Sequence, residues 1–121
     1  MKTRVKAVIL AALVAATLTA QKTVYRDKDG RIEKTSTTDK RGVTTYRDRD
    51  YRKIGTSKAN SRGIVTYRDR DGKKTYTSET NKRGVTTYRD CNGKKVGTST
   101  TNAKGVTTYR DRDGNKVGTS R

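Results

Sequence analysis

The sequence predicts an all-β protein, an antiparallel meander of hairpins, from three observations. Residues that favour strands, namely Thr, Val, Ile and Tyr, come in short runs. Turn-forming pairs such as Asp-Gly and Asn-Gly separate these runs. One unit recurs with a period of 21 residues and without insertion or deletion, as marked by Tyr25, Tyr46, Tyr67, Tyr88 and Tyr109. Such strict spacing indicates one structural unit per repeat, packed against its neighbours.

The first 20 residues differ from the repeats. Lys2, Arg4 and Lys6 precede an uncharged run rich in Ala, Val and Leu over residues 7–20, which is the form of a secretory signal peptide. A helix needs about 20 apolar residues to span a bilayer, so a membrane anchor is the weaker interpretation of this run. We therefore expect a signal peptide over residues 1–20 and a basic β-hairpin repeat region over residues 21–121. The mature chain is expected to lack a transmembrane segment and to be secreted or periplasmic, in the cell envelope of a bacterium.

The first turn of each repeat carries an Asp-Gly or Asn-Gly pair. Such pairs favour a two-residue hairpin loop, because both loop positions need positive φ. If Asn92-Gly93 is that loop, Tyr88 lies opposite Gly97. The same register predicts an ion pair between Asp90 and Lys95, and three other repeats have the same two residue types at these positions.

The second turn of each repeat is longer. Residues 102–105, Asn-Ala-Lys-Gly, fit a type I turn followed by a left-handed glycine, which makes a three-residue loop. This loop places Tyr109 opposite Ser99, so the repeated tyrosines share one face of the sheet. In the second repeat Tyr51 replaces the glycine of the first turn, and a positive φ is expected to strain it.

The overall shape is less clearly determined by the sequence. Beyond residue 20 the chain has ten Ile or Val residues and no Leu, which is close to the composition of disordered chains. The preferred expectation is a thin, twisted, open meander. A β-solenoid is the first alternative, although it would stack arginine on arginine, and a largely disordered chain that orders on a partner is the second.

The phrase in residues 63–72, Gly-Ile-Val-Thr-Tyr-Arg-Asp-Arg-Asp-Gly, recurs every 21 residues and resembles the YD repeats of Rhs-type and teneurin-type secreted proteins. In that family each repeat builds a β-hairpin, and many hairpins spiral into a shell around a toxin. The resemblance implies a hairpin per repeat and an extracytoplasmic setting for residues 22–121. This chain inserts Arg between Tyr and Asp and is too short to enclose a toxin, so the shell function is not implied.

The composition argues against catalysis. The chain has no His and a single Cys, so the usual metal-ligand sets and the histidine-activated nucleophiles cannot be assembled. We expect no enzyme activity, no catalytic residue, no metal and no cofactor. Cys91 takes a position that is Lys or Arg in the other repeats. In an oxidising compartment a lone thiol indicates either an intermolecular disulfide or simple drift.

The charge is the strongest functional signal. The chain has a formal charge of +18, which attracts polyanions. We expect a non-enzymatic protein that binds lipopolysaccharide, teichoic acid, acidic glycans or extracellular nucleic acid. The residues expected to do so are Arg47, Arg68, Arg89, Arg110, Lys40, Arg41, Arg62, Lys82, Arg83 and Lys104.

Two other interpretations of the charged strands stay open. The charge also serves solubility and blunts sheet edges. A structural protein that self-associates through unpaired strand edges is the competing hypothesis. Base stacking by the Tyr-Arg pairs is disfavoured, because adjacent strand residues point to opposite faces.

Overall fold

The computed structural model describes residues 21–121, so the expected signal peptide lies outside the described residues. These residues form ten strands and no helix, and strands that follow each other along the chain are neighbours in the sheet. The all-β hairpin meander with a 21-residue repeat is confirmed. The strands are β1 (Gln21–Asp27), β2 (Ile32–Thr38), β3 (Thr44–Asp48), β4 (Lys53–Ala59), β5 (Val65–Asp69), β6 (Lys74–Thr80), β7 (Thr86–Asp90), β8 (Lys95–Thr101), β9 (Thr107–Asp111) and β10 (Lys116–Ser120).

The sheet does not stay open, because its last strand pairs with its first. In the antiparallel pair of β10 and β1, Ser120 lies opposite Tyr25. The backbone N–H of Val24 donates to the carbonyl of Arg121 at 2.9 Å, and the N–H of Arg121 donates back to Val24 at 3.0 Å. The expected open sheet is therefore a closed barrel of five hairpins, and closure joins the two strand edges to each other.

The two kinds of turn lie at opposite ends of the barrel, because successive strands run in opposite directions. The end formed by residues 28–30, 49–51, 70–72, 91–93 and 112–114 is called the first-turn end. The end formed by residues 40–42, 61–63, 82–84 and 103–105 is called the second-turn end.

Both turns have the same backbone geometry. In the second turn the N–H of Gly105 donates to the carbonyl of Asn102 at 3.0 Å, and Gly105 has a φ of 83°. This confirms the type I turn with a left-handed glycine. In the first turn Gly93 bonds the carbonyl of Asp90 in the same way and has a φ of 85°. The prediction of a two-residue loop there is wrong, since three residues separate Asp90 from its partner Lys94.

A β-bulge in every hairpin compensates for the extra loop residue. Arg89 lies opposite Lys95 and Tyr88 lies opposite Gly97, so Val96 is the additional residue. Without it the register would slip by one residue and turn Gly97 away from the tyrosine face. The predicted pairing of tyrosine with glycine is confirmed. The predicted Asp-Lys ion pairs are wrong, because the bulge brings an arginine opposite each of these lysines instead: Lys53, Lys74, Lys95 and Lys116.

The barrel interior is built on tyrosine rather than on aliphatic side chains. Tyr25 is the one buried hydrophobic residue among residues 21–121. The five repeated tyrosines form a closed circle, here called the tyrosine ring, in which each aromatic ring contacts both neighbours at centroid distances of 5.9–6.2 Å. The ring planes are tilted by 42–54°, a geometry that aromatic pairs favour. The circle closes through the contact of Tyr25 with Tyr109.

Each tyrosine hydroxyl has a partner in the adjacent strand of its own hairpin. Tyr88 Oη lies 3.0 Å from the Oγ of Ser99, and the other four tyrosines make the same contact at 2.9–3.4 Å. The serines are buried, with exposed fractions of 3–6%. A buried hydroxyl without a partner is costly, so this layer fixes the depth of the tyrosine ring in the barrel. The serines are Ser36, Ser57, Ser78, Ser99 and Ser120.

The strain predicted at Tyr51 is present, and it gives a first prediction. Tyr51 has a φ of 65° and is the one non-glycine residue of the described chain with a positive φ. Its side chain is 69% exposed, so little packing is lost when it is removed. We expect Tyr51→Gly to raise the free energy of unfolding by about 0.5–1 kcal/mol, because glycine adopts this conformation without strain.

The measurement is urea denaturation followed by circular dichroism. Gly93→Tyr places tyrosine at the same turn position of another repeat, and we expect it to lower the free energy of unfolding by about 0.5–1 kcal/mol. A Tyr51→Gly protein that is no more stable than the wild type would contradict the prediction.

Candidate functional site

The second-turn end of the barrel carries an excess of exposed basic residues. Nine basic residues lie there with two acidic ones, Asp39 and Glu79. We call this surface the basic rim, and its members are Lys22, Lys40, Arg41, Lys58, Arg62, Lys82, Arg83, Lys104 and Arg121. The six loop residues predicted to bind polyanions all belong to it. Closure of the barrel brings these loops, which are far apart in sequence, to one end of the molecule.

The four predicted strand arginines do not join the basic rim. Arg47, Arg68, Arg89 and Arg110 lie on exposed positions of the barrel wall near the first-turn end. The Nη1 of each donates to a carbonyl of its own first turn at 3.1–3.3 Å. The residues predicted to bind polyanions therefore fall into two groups. The six loop residues lie on the basic rim, and the four strand arginines lie near the first-turn end, where they hydrogen-bond to the first turns.

The rim carries nine basic and two acidic residues, whereas the rest of residues 21–121 carries eighteen basic and ten acidic residues. The two ends therefore differ in their proportion of acidic residues, in part because they use different side chains for the same turn. Asn81 Oδ1 accepts the N–H groups of Arg83 and Val85 at 2.9 and 3.1 Å. Asp90 Oδ1 accepts the equivalent N–H groups at 2.9 and 3.0 Å in a first turn. The hydrogen bonds are alike, but the amide is neutral and the carboxylate is charged.

This choice of acceptor is systematic. All five first turns use aspartate: Asp27, Asp48, Asp69, Asp90 and Asp111. Three of the four second turns use asparagine, namely Asn60, Asn81 and Asn102, and the fourth uses Asp39. The backbone N–H groups lower the pKa of Asp27 and Asp111, so these carboxylates stay charged at neutral pH. The rim cations consequently have fewer carboxylates beside them than the cations of the other end.

Burial governs the protonation of the tyrosine ring. Desolvation raises the pKa of Tyr25 to about 12, and the hydrogen bond with Ser36 opposes part of that shift. Burial also raises the pKa of the other four ring tyrosines. All five hydroxyls are therefore neutral at physiological pH, and the negative charge of a tyrosinate would be destabilising in the ring.

The structure also locates the remaining sequence candidates. Tyr88 lies inside the barrel and Arg89 on its outer face, so tyrosine and arginine do not form one stacking platform. Cys91 is exposed as a free thiol in a first turn, and its intermolecular disulfide stays a prediction. Lys34, which the sequence alone does not single out, occupies the barrel position of Gly97 and Gly118. The signal for it was the departure from glycine at that point of the repeat.

The ring predicts how the barrel responds to alkali. Since the folded-state pKa values exceed the unfolded value near 10, the stability that the ring contributes is complete below pH 10 and is lost as the pH rises towards and beyond 12. We expect ionisation of the five tyrosines, followed by absorbance at 295 nm, to coincide with loss of the β spectrum in circular dichroism. Ionisation of the five ring tyrosines near pH 10 while the barrel keeps its β spectrum would contradict this prediction.

Comparison with known proteins adds no family. No helix of the described residues is long and apolar enough to cross a membrane, and residues 21–121 contain no group of three or more His, Cys, Asp or Glu side chains arranged to hold a metal ion. No protein-family model, no curated protein and no solved structure matches this chain. Its function therefore has to be argued from its own residues.

Proposed function

We propose that this protein is a non-enzymatic polyanion-binding protein of the cell envelope or extracellular space and that the basic rim is its contact surface. The observation that carries the proposal is the concentration of nine exposed cations and two acidic residues at one end of a closed barrel. Residues 21–121 keep a formal charge of +15, because residues 1–20 carry three basic residues and no acidic one. A dense positive surface raises the local concentration of anionic ligands.

The ligands share one chemistry, a chain or surface of closely spaced phosphate, sulfate or carboxylate groups. Lipopolysaccharide, teichoic acid, acidic glycans and extracellular nucleic acid all have it. The five tyrosines of the ring lie inside the barrel, so binding of nucleic acid would rely on phosphate contacts rather than base stacking by the repeated tyrosines. Such contacts release counterions and weaken steeply with salt.

The competing hypothesis of self-association requires unpaired strand edges. In the barrel, β1 and β10 pair with each other, so these edges are not free for a second molecule. We therefore favour binding over edge-to-edge assembly.

The turn acceptors provide a test that keeps the fold intact. Asn81→Asp with Asn102→Asp retains both turn hydrogen bonds, as Asp39 does in the first repeat, and adds two negative charges to the rim. We expect weaker binding of heparin and lipopolysaccharide, and a salt slope of the binding constant reduced by about two. The measurement is isothermal titration calorimetry at several salt concentrations.

The matched control is Lys95→Gln with Lys116→Gln. It lowers the net charge by the same two units but near the other end of the barrel. We expect it to keep most of the wild-type affinity and salt slope. If both double variants lose affinity equally, the net charge and not the basic rim drives binding, and the assignment of the site is wrong.

A further inference from the structure

The barrel contains a cavity between the tyrosine ring and the first turns. Its volume is about 620 Å³, within the range of about 300–1,000 Å³ that small-molecule sites occupy. All five ring tyrosines line it, and none of the buried serines does. The tyrosine ring is therefore its floor. Apolar wall residues come from the bulges, namely Ile54, Val96 and Val117.

The cavity exists because three repeats have glycine at the position that pairs with the ring tyrosine across the hairpin. These residues are Gly55, Gly97 and Gly118. A Cβ at Gly97 would collide with the backbone carbonyl of Arg110, so glycine is also required there by the close approach of two strands. The other two repeats place Lys34 and Tyr76 at this position, which makes the lining chemically asymmetric.

Lys34 supplies a positive charge inside this cavity. Its Nζ lies 5.2 Å from the ring centroid of Tyr25 and 5.6 Å from that of Tyr46, which is a cation–π geometry. Among residues 21–121 no carboxylate forms an ion pair with this ammonium, and desolvation lowers its pKa despite the nearby charge of Glu33. A partly desolvated ammonium without a counterion gains from an anionic partner.

Three arginines also line the cavity, namely Arg26, Arg68 and Arg110, and the Nη1 of each donates to a carbonyl of its own first turn at 2.9–3.1 Å. The carboxylates at the cavity do not serve as the counterion of Lys34. Asp69 and Asp111 line the cavity, but each directs its Oδ1 to two backbone N–H groups of its own turn. Glu33 lies beside Lys34 and is exposed. A cationic ligand would meet the ammonium of Lys34 on the faces of Tyr25 and Tyr46, so the aromatic floor is not available to it as a cation cage.

We propose that this cavity binds a small organic anion with a flat apolar body. The anionic group pairs with Lys34 Nζ, and the body lies on the tyrosine ring against the bulge residues. The site is at the opposite end of the barrel from the basic rim and recognises a different ligand class, so it does not rest on the proposed polyanion function.

The experiment uses 2-naphthoate as the probe and its uncharged analogue 2-naphthalenemethanol as the reference, each titrated into the whole protein by calorimetry. We expect one naphthoate per chain. Lys34→Met should weaken naphthoate binding about tenfold or more, because a charge-assisted contact is lost, and should leave binding of the alcohol unchanged. In NMR spectra naphthoate should shift the ring protons of Tyr25 and Tyr46.

Two further variants keep the test decisive. Lys34→Gly supplies the residue that three other repeats have at this position and should lose naphthoate binding as well. Lys74→Met removes one charge from the outer wall and should bind naphthoate like the wild type. Absence of naphthoate binding below about 1 mM, or equal weakening by Lys34→Met and Lys74→Met, would overturn the proposal. Asn81→Asp with Asn102→Asp should leave naphthoate binding intact, whatever happens at the basic rim.

Discussion

The contact between Tyr25 and Tyr109 closes the tyrosine ring, and both the interior and the cavity of the barrel rely on that closure. It joins the first repeat to the last and completes a circle in which every tyrosine has two aromatic neighbours. An open sheet would leave two of these rings uncovered on one side and two strand edges unpaired. A chain with ten Ile or Val and no Leu after residue 20 thus obtains its interior from five large side chains rather than from an aliphatic core.

The two ends of the closed barrel also have different properties. Both ends are built from the same type I turn with a left-handed glycine. Asparagine accepts the turn hydrogen bonds at most of the second turns, whereas aspartate does so at every first turn. One end therefore presents cations with few neighbouring carboxylates. The other end has mixed charge and surrounds the mouth of a cavity whose floor is the tyrosine ring.

The β-bulge shows where counting along the sequence fails. A three-residue loop and one bulge residue produce the same offset as a two-residue loop. Tyr88 therefore lies opposite Gly97 as predicted, although the predicted turn is wrong. The difference matters for charge. With the bulge, Arg89 and not Asp90 faces Lys95, so like charges lie together on the barrel wall and the expected ion pairs do not form. The bulge is needed to place glycine opposite tyrosine in the neighbouring strand. The residue preferences of the turn do not predict such a bulge, because they report only on the loop itself.

The amino-acid pattern alone predicts the hairpins, their period, the second turn, the strain at Tyr51 and the common face of the repeated tyrosines. These features depend on contacts within one repeat or between adjacent repeats, and the side-chain pattern specifies them directly. Closure of the sheet does not follow from that pattern, because it depends on twist and register accumulated over ten strands. Closure in turn determined which predicted cations share a surface, and it enclosed Lys34 above the rings of Tyr25 and Tyr46. Residues far apart in the chain become one site only when the last strand meets the first.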